Sequence, residues 1–131
     1  MLGKKRKVWG IDRQVLEMVN ESAKQSLPNE FVAAMRAEDG VISELLFLPG
    51  TIQGQDNATL FLHMLPIDYT VVGTVHSHPG PSNHWSGADL QLLRRFGNTH
   101  IITKLPYDMR SWQAYDMEGN RIELEVVDLD Q

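Results

Sequence analysis

The chain has 131 residues, 42% of them apolar and 22% charged, which suits one domain burying a single core and excludes a disordered or membrane-spanning class. It has no cysteine, so disulfides, thiolate metal sites and cysteine nucleophiles are excluded and any metal must be held by nitrogen and oxygen. Of the net charge of -5, Lys4, Lys5, Arg6 and Lys7 contribute +4, leaving 8 basic against 17 acidic residues, a balance of -9. So acidic a body repels phosphate backbones, and no nucleic-acid partner is expected. The basic start, residues 1–7, reads as a frayed terminus, and its likeness to a nuclear-import signal carries little weight. Without a secretory run or a membrane span, the expected location is the cytoplasm.

In chain order, Ile11, Val15, Val19 and Ala23 recur every four residues and predict an amphipathic helix from Ile11 to about Leu27. Asp12 is its expected cap, and Pro28 lies where it must have ended. Two apolar runs, Glu30 to Ala37 and Val41 to Leu48, flank Asp39-Gly40 and predict a hairpin, closed by Pro49-Gly50. Thr51 to Ala58 is polar and turn-like, and Thr59 to Leu65 reads equally as strand or helical turn.

Thr70 to Val75 is nearly continuous in β-branched residues, as a central strand covered on both faces would be. It delivers the chain into His76-Ser77-His78 and a loop rich in proline and glycine. Ser86-Gly87-Ala88-Asp89 then opens a helix carrying Leu90, Leu92, Leu93 and Phe96, which Asn98 ends. Three strand-like runs follow, His100 to Leu105, Ser111 to Tyr115 and Arg121 to Val127, with a turn at Glu118-Gly119-Asn120. The expected fold is α/β, one mixed sheet flanked by two main helices in a single domain over residues 1–131.

In a strand, the spacing of His76 and His78 puts both imidazoles on one face, with Cα atoms roughly 6 to 7 Å apart. Asp89 lies eleven residues after His78, in the first turn of a helix, and the loop between is long enough to return it to the same point. Two nitrogens and one carboxylate oxygen leave a fourth tetrahedral position open, as in catalytic zinc sites. Ser-x-x-Asp is also a capping-box start to a helix, and both roles can coexist if one carboxylate oxygen caps while the other takes metal.

The segment Gly73 to Asp89, GTVHSHPGPSNHWSGAD, resembles the metal motif of the JAMM or MPN-plus (Mov34/PAD-type) metallopeptidases: His-x-His, seven residues, Ser, two residues, Asp. All offsets match, and the chain resembles the compact archaeal-type members. The resemblance implies a cytidine-deaminase-like architecture and one Zn2+ with a bound water, held by His76, His78 and Asp89. It implies Ser86 as an oxyanion donor. It also implies a catalytic glutamate on the first strand after the N-terminal helix, for which Glu30 in Pro28-Asn29-Glu30-Phe31-Val32 is the candidate. On the residues alone, Glu30 reads as a solvated acid at a strand start. The family's usual glycine near the end of that strand is missing from Met35-Arg36-Ala37.

The implied activity is that of a deubiquitinase-like isopeptidase, a hydrolase that cuts between a ubiquitin-like modifier's Gly-Gly tail and a lysine. Two alternatives stand beside it: C-terminal processing of sulfur-carrier ubiquitin-like proteins, and a non-catalytic scaffold. The implied partners are conjugates or carrier proteins, and a homodimer is compatible with the fold. His84 is a spare ligand, a substrate contact or a solvated loop residue. Trp85 lines a groove or packs under its loop. His63 and His100 read as core-edge histidines, since neither has a partner at metal spacing.

Overall fold

The computed structural model describes residues 7–47 and 70–129. Lys4 to Arg6, Leu48, the Pro49-Gly50 stop, Thr51 to Ala58, Thr59 to Leu65 and His63 lie outside the described residues. In chain order the elements are β1 (Gly10–Asp12), α1 (Arg13–Ser26), β2 (Val32–Glu38), β3 (Val41–Phe47), β4 (Val71–His78), α2 (Gly87–Arg95), β5 (His100–Lys104), β6 (Trp112–Tyr115), β7 (Arg121–Ile122) and β8 (Glu125–Val127). Among the described residues, no helix is long and apolar enough to cross a membrane.

Asp12 caps α1 as expected, its carboxylate accepting the Gln14 N–H at 3.3 Å. Ile11 does not belong to that helix. It lies in β1, parallel to both β3 and β8, opposite Ile42 and Val126. A three-residue strand has no periodicity of its own, and its buried isoleucine falls in phase with the helical stripe behind it. That stripe is Val15, Leu16, Val19, Asn20 and Ala23, all buried.

The hairpin of β2 and β3 forms around Asp39-Gly40, with φ of 53° and 83°. Positive φ at both central positions is the type I′ turn that Asp-Gly favours. Where the family's glycine is missing, the ladder shifts register between Arg36 and Ala37 against β3, and between Met35 and Arg36 against β4.

The sheet is mixed and has eight strands in the order β7-β6-β5-β4-β2-β3-β1-β8. The expected single strand from Arg121 to Val127 is instead two, β7 on one edge and β8 on the other. Only Glu123 and Leu124 separate them, so Ile122 and Glu125 are within roughly 11 Å of each other and the sheet must curl until its edges approach. The concave side holds α1: Val15, Leu16 and Val19 share one apolar cluster with Ile11, Ala33, Met35, Ile42, Val75, Ile101, Ala114 and Leu124.

The outer face holds α2, through Leu93 against Ile102 and Tyr115, with Trp85 and Leu90 packed beside them. Strand alternation sorts neighbours between the faces, Ile101 inward and Ile102 outward. In β4, flanked by antiparallel β2 and parallel β5, Val75 therefore joins the α1 core while His76, opposite Ile102, faces α2. His78 follows His76 outward, and Ser77 turns inward beside Thr103.

Candidate metal centre

The central strand brings His76 and His78 to its carboxyl end, where crevices of open α/β sheets form, and α2 brings Asp89 to meet them. Nε2 of His76 lies 3.1 Å from Asp89 Oδ1, Nε2 of His78 lies 3.0 Å from Oδ2, and the two Nε2 atoms are 3.3 Å apart. Donors about 2.0 to 2.1 Å from a tetrahedral zinc ion are separated by about 3.3 to 3.4 Å, so this triangle is nearly the right size. Among the described residues, these three form the group able to hold a metal ion.

Asp89 also caps its own helix. Its Oδ2 accepts the Ser86 N–H at 2.8 Å, and its N–H donates to Ser86 Oγ at 3.2 Å, the capping box expected from Ser-x-x-Asp. Oδ1 has no part in the cap and faces His76. Burial works to raise the Asp89 carboxyl, but hydrogen bonds with His76, His78 and the Ser86 amide outweigh it and hold the group well below the usual carboxylate range.

The protons decide what the triangle wants. Nδ1 of His78 lies 3.0 Å from the Ser82 carbonyl, which can only accept, so Nδ1 carries the ring's proton. In neutral His78 the bare lone pair of Nε2 then points at the ionised Asp89 oxygen. Two acceptors 3.0 Å apart need a cation between them. The Asp89 hydrogen bond accordingly raises the His78 pKa, against burial, with the Asp89 and Glu30 charges adding to the rise. The donor set fits a metal ion: nitrogen and oxygen ligands, one negative charge and one tautomer fixed from outside.

Glu30 lies in the connection between α1 and β2, half-buried, two residues before the strand it was expected to open. The next residue, Phe31, is hydrogen-bonded to Ser77 between the two histidines, which brings Glu30 to the same end of β4. Ser86 is exposed at the start of α2. Its Oγ accepts the Asp89 N–H, so its own O–H stays available to a second acceptor.

The remaining histidines divide as follows. His100 is fully buried, with Nδ1 accepting the Thr74 N–H at 3.2 Å and Nε2 on the Gly97 carbonyl at 3.1 Å. His84 is exposed, its ring against Trp85 at 4.8 Å and its Nδ1 on the Trp85 carbonyl, outside the metal group. Trp85 packs under the loop, its Nε1 donating to the Gly119 carbonyl at 2.7 Å. Gly119 is required there, since its φ is +86° and a Cβ would sit 2.8 Å from the Trp85 ring.

A model of prokaryotic homologues of the JAB domain matches residues 12–115, most of the chain. The chain belongs to that family. This JAB-family chain is 32% identical to a probable metalloprotease of Haloferax volcanii, over 98% of its own length and 86% of the relative's. A JAB1/MPN domain protein of Archaeoglobus fulgidus is 44% identical, with a TM-score of 0.75 over 91% of this chain and 99% of that one. A second structure, described as JAMM, a metalloprotease-like zinc site in the proteasome and signalosome, is 39% identical, with a TM-score of 0.74 over 93% and 100%. The JAB-family chain is therefore a JAMM/MPN metallopeptidase-type enzyme, with the mixed sheet and two helices of that fold.

Two side chains that brace the centre were not visible from spacing. Ser77 is fully buried between the histidines, and its Oγ accepts the Phe31 N–H at 2.8 Å. Tyr107 is 1% exposed and donates its hydroxyl to the His78 carbonyl at 3.0 Å. Strand alternation does signal that Ser77 faces away from the histidines. Nothing local marks Tyr107, whose role depends on a loop returning beneath β4.

Proposed function

We propose that this chain is a zinc-dependent isopeptidase that hydrolyses the bond between the C-terminal Gly-Gly tail of a ubiquitin-like modifier and a lysine side chain. The observation that carries this reading is the convergence of His76, His78 and Asp89 at 3.0 to 3.3 Å, with the His78 proton held on its outer nitrogen. Membership of the JAMM/MPN group supports the ubiquitin-like substrate class.

His76, His78 and Asp89 would hold the zinc ion, which would supply a Lewis acid for a carbonyl oxygen and lower the pKa of water to about 7. Glu30 is the general base, taking a proton from the attacking water and returning it to the departing lysine amine. It is not one of the three grouped ligand residues, as a general base acting on the attacking water requires. Ser86 donates its O–H to the carbonyl oxygen as negative charge gathers there, worth about 3 kcal/mol for one well-placed donor. The fixed Asp89 cap holds that hydroxyl at one place relative to the ligands.

The test combines zinc stoichiometry with hydrolysis of a fluorogenic substrate carrying a Gly-Gly tail, before and after chelation. Glu30→Gln is expected to keep stoichiometric zinc and lose about 100- to 10,000-fold in kcat. Zinc-loaded protein that leaves isopeptide-linked conjugates uncut would overturn the reading.

A further inference from the structure

The catalytic reading needs Glu30 at a fixed distance from the ligands, yet Glu30 lies outside any strand. The regular pairing of β2 with β4 begins at Val32 opposite His76. One residue earlier, Phe31 is opposite Ser77, and the contact changes character. Ser77 N–H still donates to the Phe31 carbonyl at 2.9 Å, but Phe31 N–H is caught by the Ser77 side-chain oxygen, at 2.8 Å. That N–H belongs to the planar peptide unit joining Glu30 to Phe31, so holding it fixes the Glu30 Cα as well.

The contact ties the peptide of the proposed base to the strand of the metal ligands, because Ser77 sits between His76 and His78 in β4. Ser77 is fully buried, so water offers no substitute for its hydroxyl.

We propose that Ser77 is a positioning residue, whose hydroxyl holds the Glu30–Phe31 peptide and so sets Glu30 in register with His76 and His78. It touches neither substrate nor metal. This rests on the reading of Glu30 as general base, and its test separates the two.

On metal-free protein, amide hydrogen exchange by NMR should show Phe31 protected in the wild type and exchanging at least about 10-fold faster in Ser77→Ala, with Ala33 and Met35 unchanged. This readout needs no activity, so it decides the placement even if the wild type cleaves nothing. On zinc-loaded protein, Ser77→Ala should lower kcat by about 10- to 100-fold at unchanged KM and zinc content. Ser77→Thr, which keeps the hydroxyl, should recover kcat to within about threefold. In a Glu30→Gln background, Ser77→Ala should cost nothing further, since it acts through Glu30. If Ser77→Ala does not fold, Ser77→Cys replaces it, because a thiol is a much weaker acceptor. Unchanged Phe31 exchange, or an equal loss of kcat in both Glu30 backgrounds, overturns the proposal.

Discussion

The two faces of β4 alternate residue by residue, yet they are finished to different standards. Inward, toward α1, the polar groups answer one another: Thr103 Oγ1 donates to Asn20 Oδ1 at 2.8 Å, Asn20 Nδ2 donates to the Asp108 carbonyl at 3.0 Å, and Ser77 accepts Phe31 N–H. Outward, toward α2, His78 and Asp89 present acceptors to each other. There too, among the described residues, Nδ1 of His76 is the buried side-chain atom without a partner. Buried polar groups normally find partners because leaving one unmade costs about 1 to 3 kcal/mol. The inward face meets that demand within the chain; the outward face leaves the His78–Asp89 contact to a cation, which His76 would meet through Nε2 and not through Nδ1.

Asp89→Asn attacks the contrast most directly. It keeps an acceptor for the Ser86 N–H and removes the charge, so zinc affinity should fall by at least about 100-fold and hydrolysis should drop to background. Helix stability should change by less than about 1 kcal/mol. Isothermal titration with zinc and thermal melts read the two effects separately.

His100 sharpens the comparison because it faces the same side as His76 with both nitrogens answered. Burial pushes its pKa down to about 4, against hydrogen bonds to the Gly97 and Leu93 backbone, with His76 lowering it and Asp116 raising it slightly. The unfolded chain takes up the proton near 6.5 and the folded chain refuses it until about 4. The stability linked to this residue is therefore intact above pH 6.5 and lost as pH falls toward 4, by about 3 kcal/mol. Denaturant titrations at pH 7 and 4.5 on metal-free protein, with NMR titration of the His100 ring, check the size and the assignment.

Ser86→Ala should lower kcat by about 100-fold through the lost donor and weaken α2 by about 1 kcal/mol through the lost cap. Comparing kcat with the melting temperature separates the two roles. The smallest effect should come from the inward face. Thr103→Val leaves Asn20 Oδ1 short of a donor and should cost about 1 to 2 kcal/mol of stability, with zinc affinity unchanged within about twofold.

The outward face was largely legible in the sequence. Strand spacing puts His76 and His78 on one face and Ser-x-x-Asp opens a helix at Ser86 and Asp89, while their assignment to one site comes from the resemblance of the whole motif to the family's. Asp12 and the Asp39-Gly40 turn are local chemistry and were equally plain. What stayed hidden depends on partners distant in the chain. Ile11 is a strand residue only because β3 and β8 lie on either side of it. Glu123-Leu124 breaks an apparently continuous strand only because the two halves pair with opposite edges. The links of Ser77 to Phe31 and of Tyr107 to His78 cross 46 and 29 positions and leave no pattern in either segment.

The curled sheet also has a consequence for how the chain acquires its shape. Gly10 is paired with Glu125 and Asp12 with Val127, so β1 is assembled next to a strand from the far end of the described residues. Joining them closes a loop around almost everything else, and the entropy of that closure must be met before the contact returns any energy. The molecule should therefore refold slowly for its size, with the β1–β8 seam as its last cooperative step.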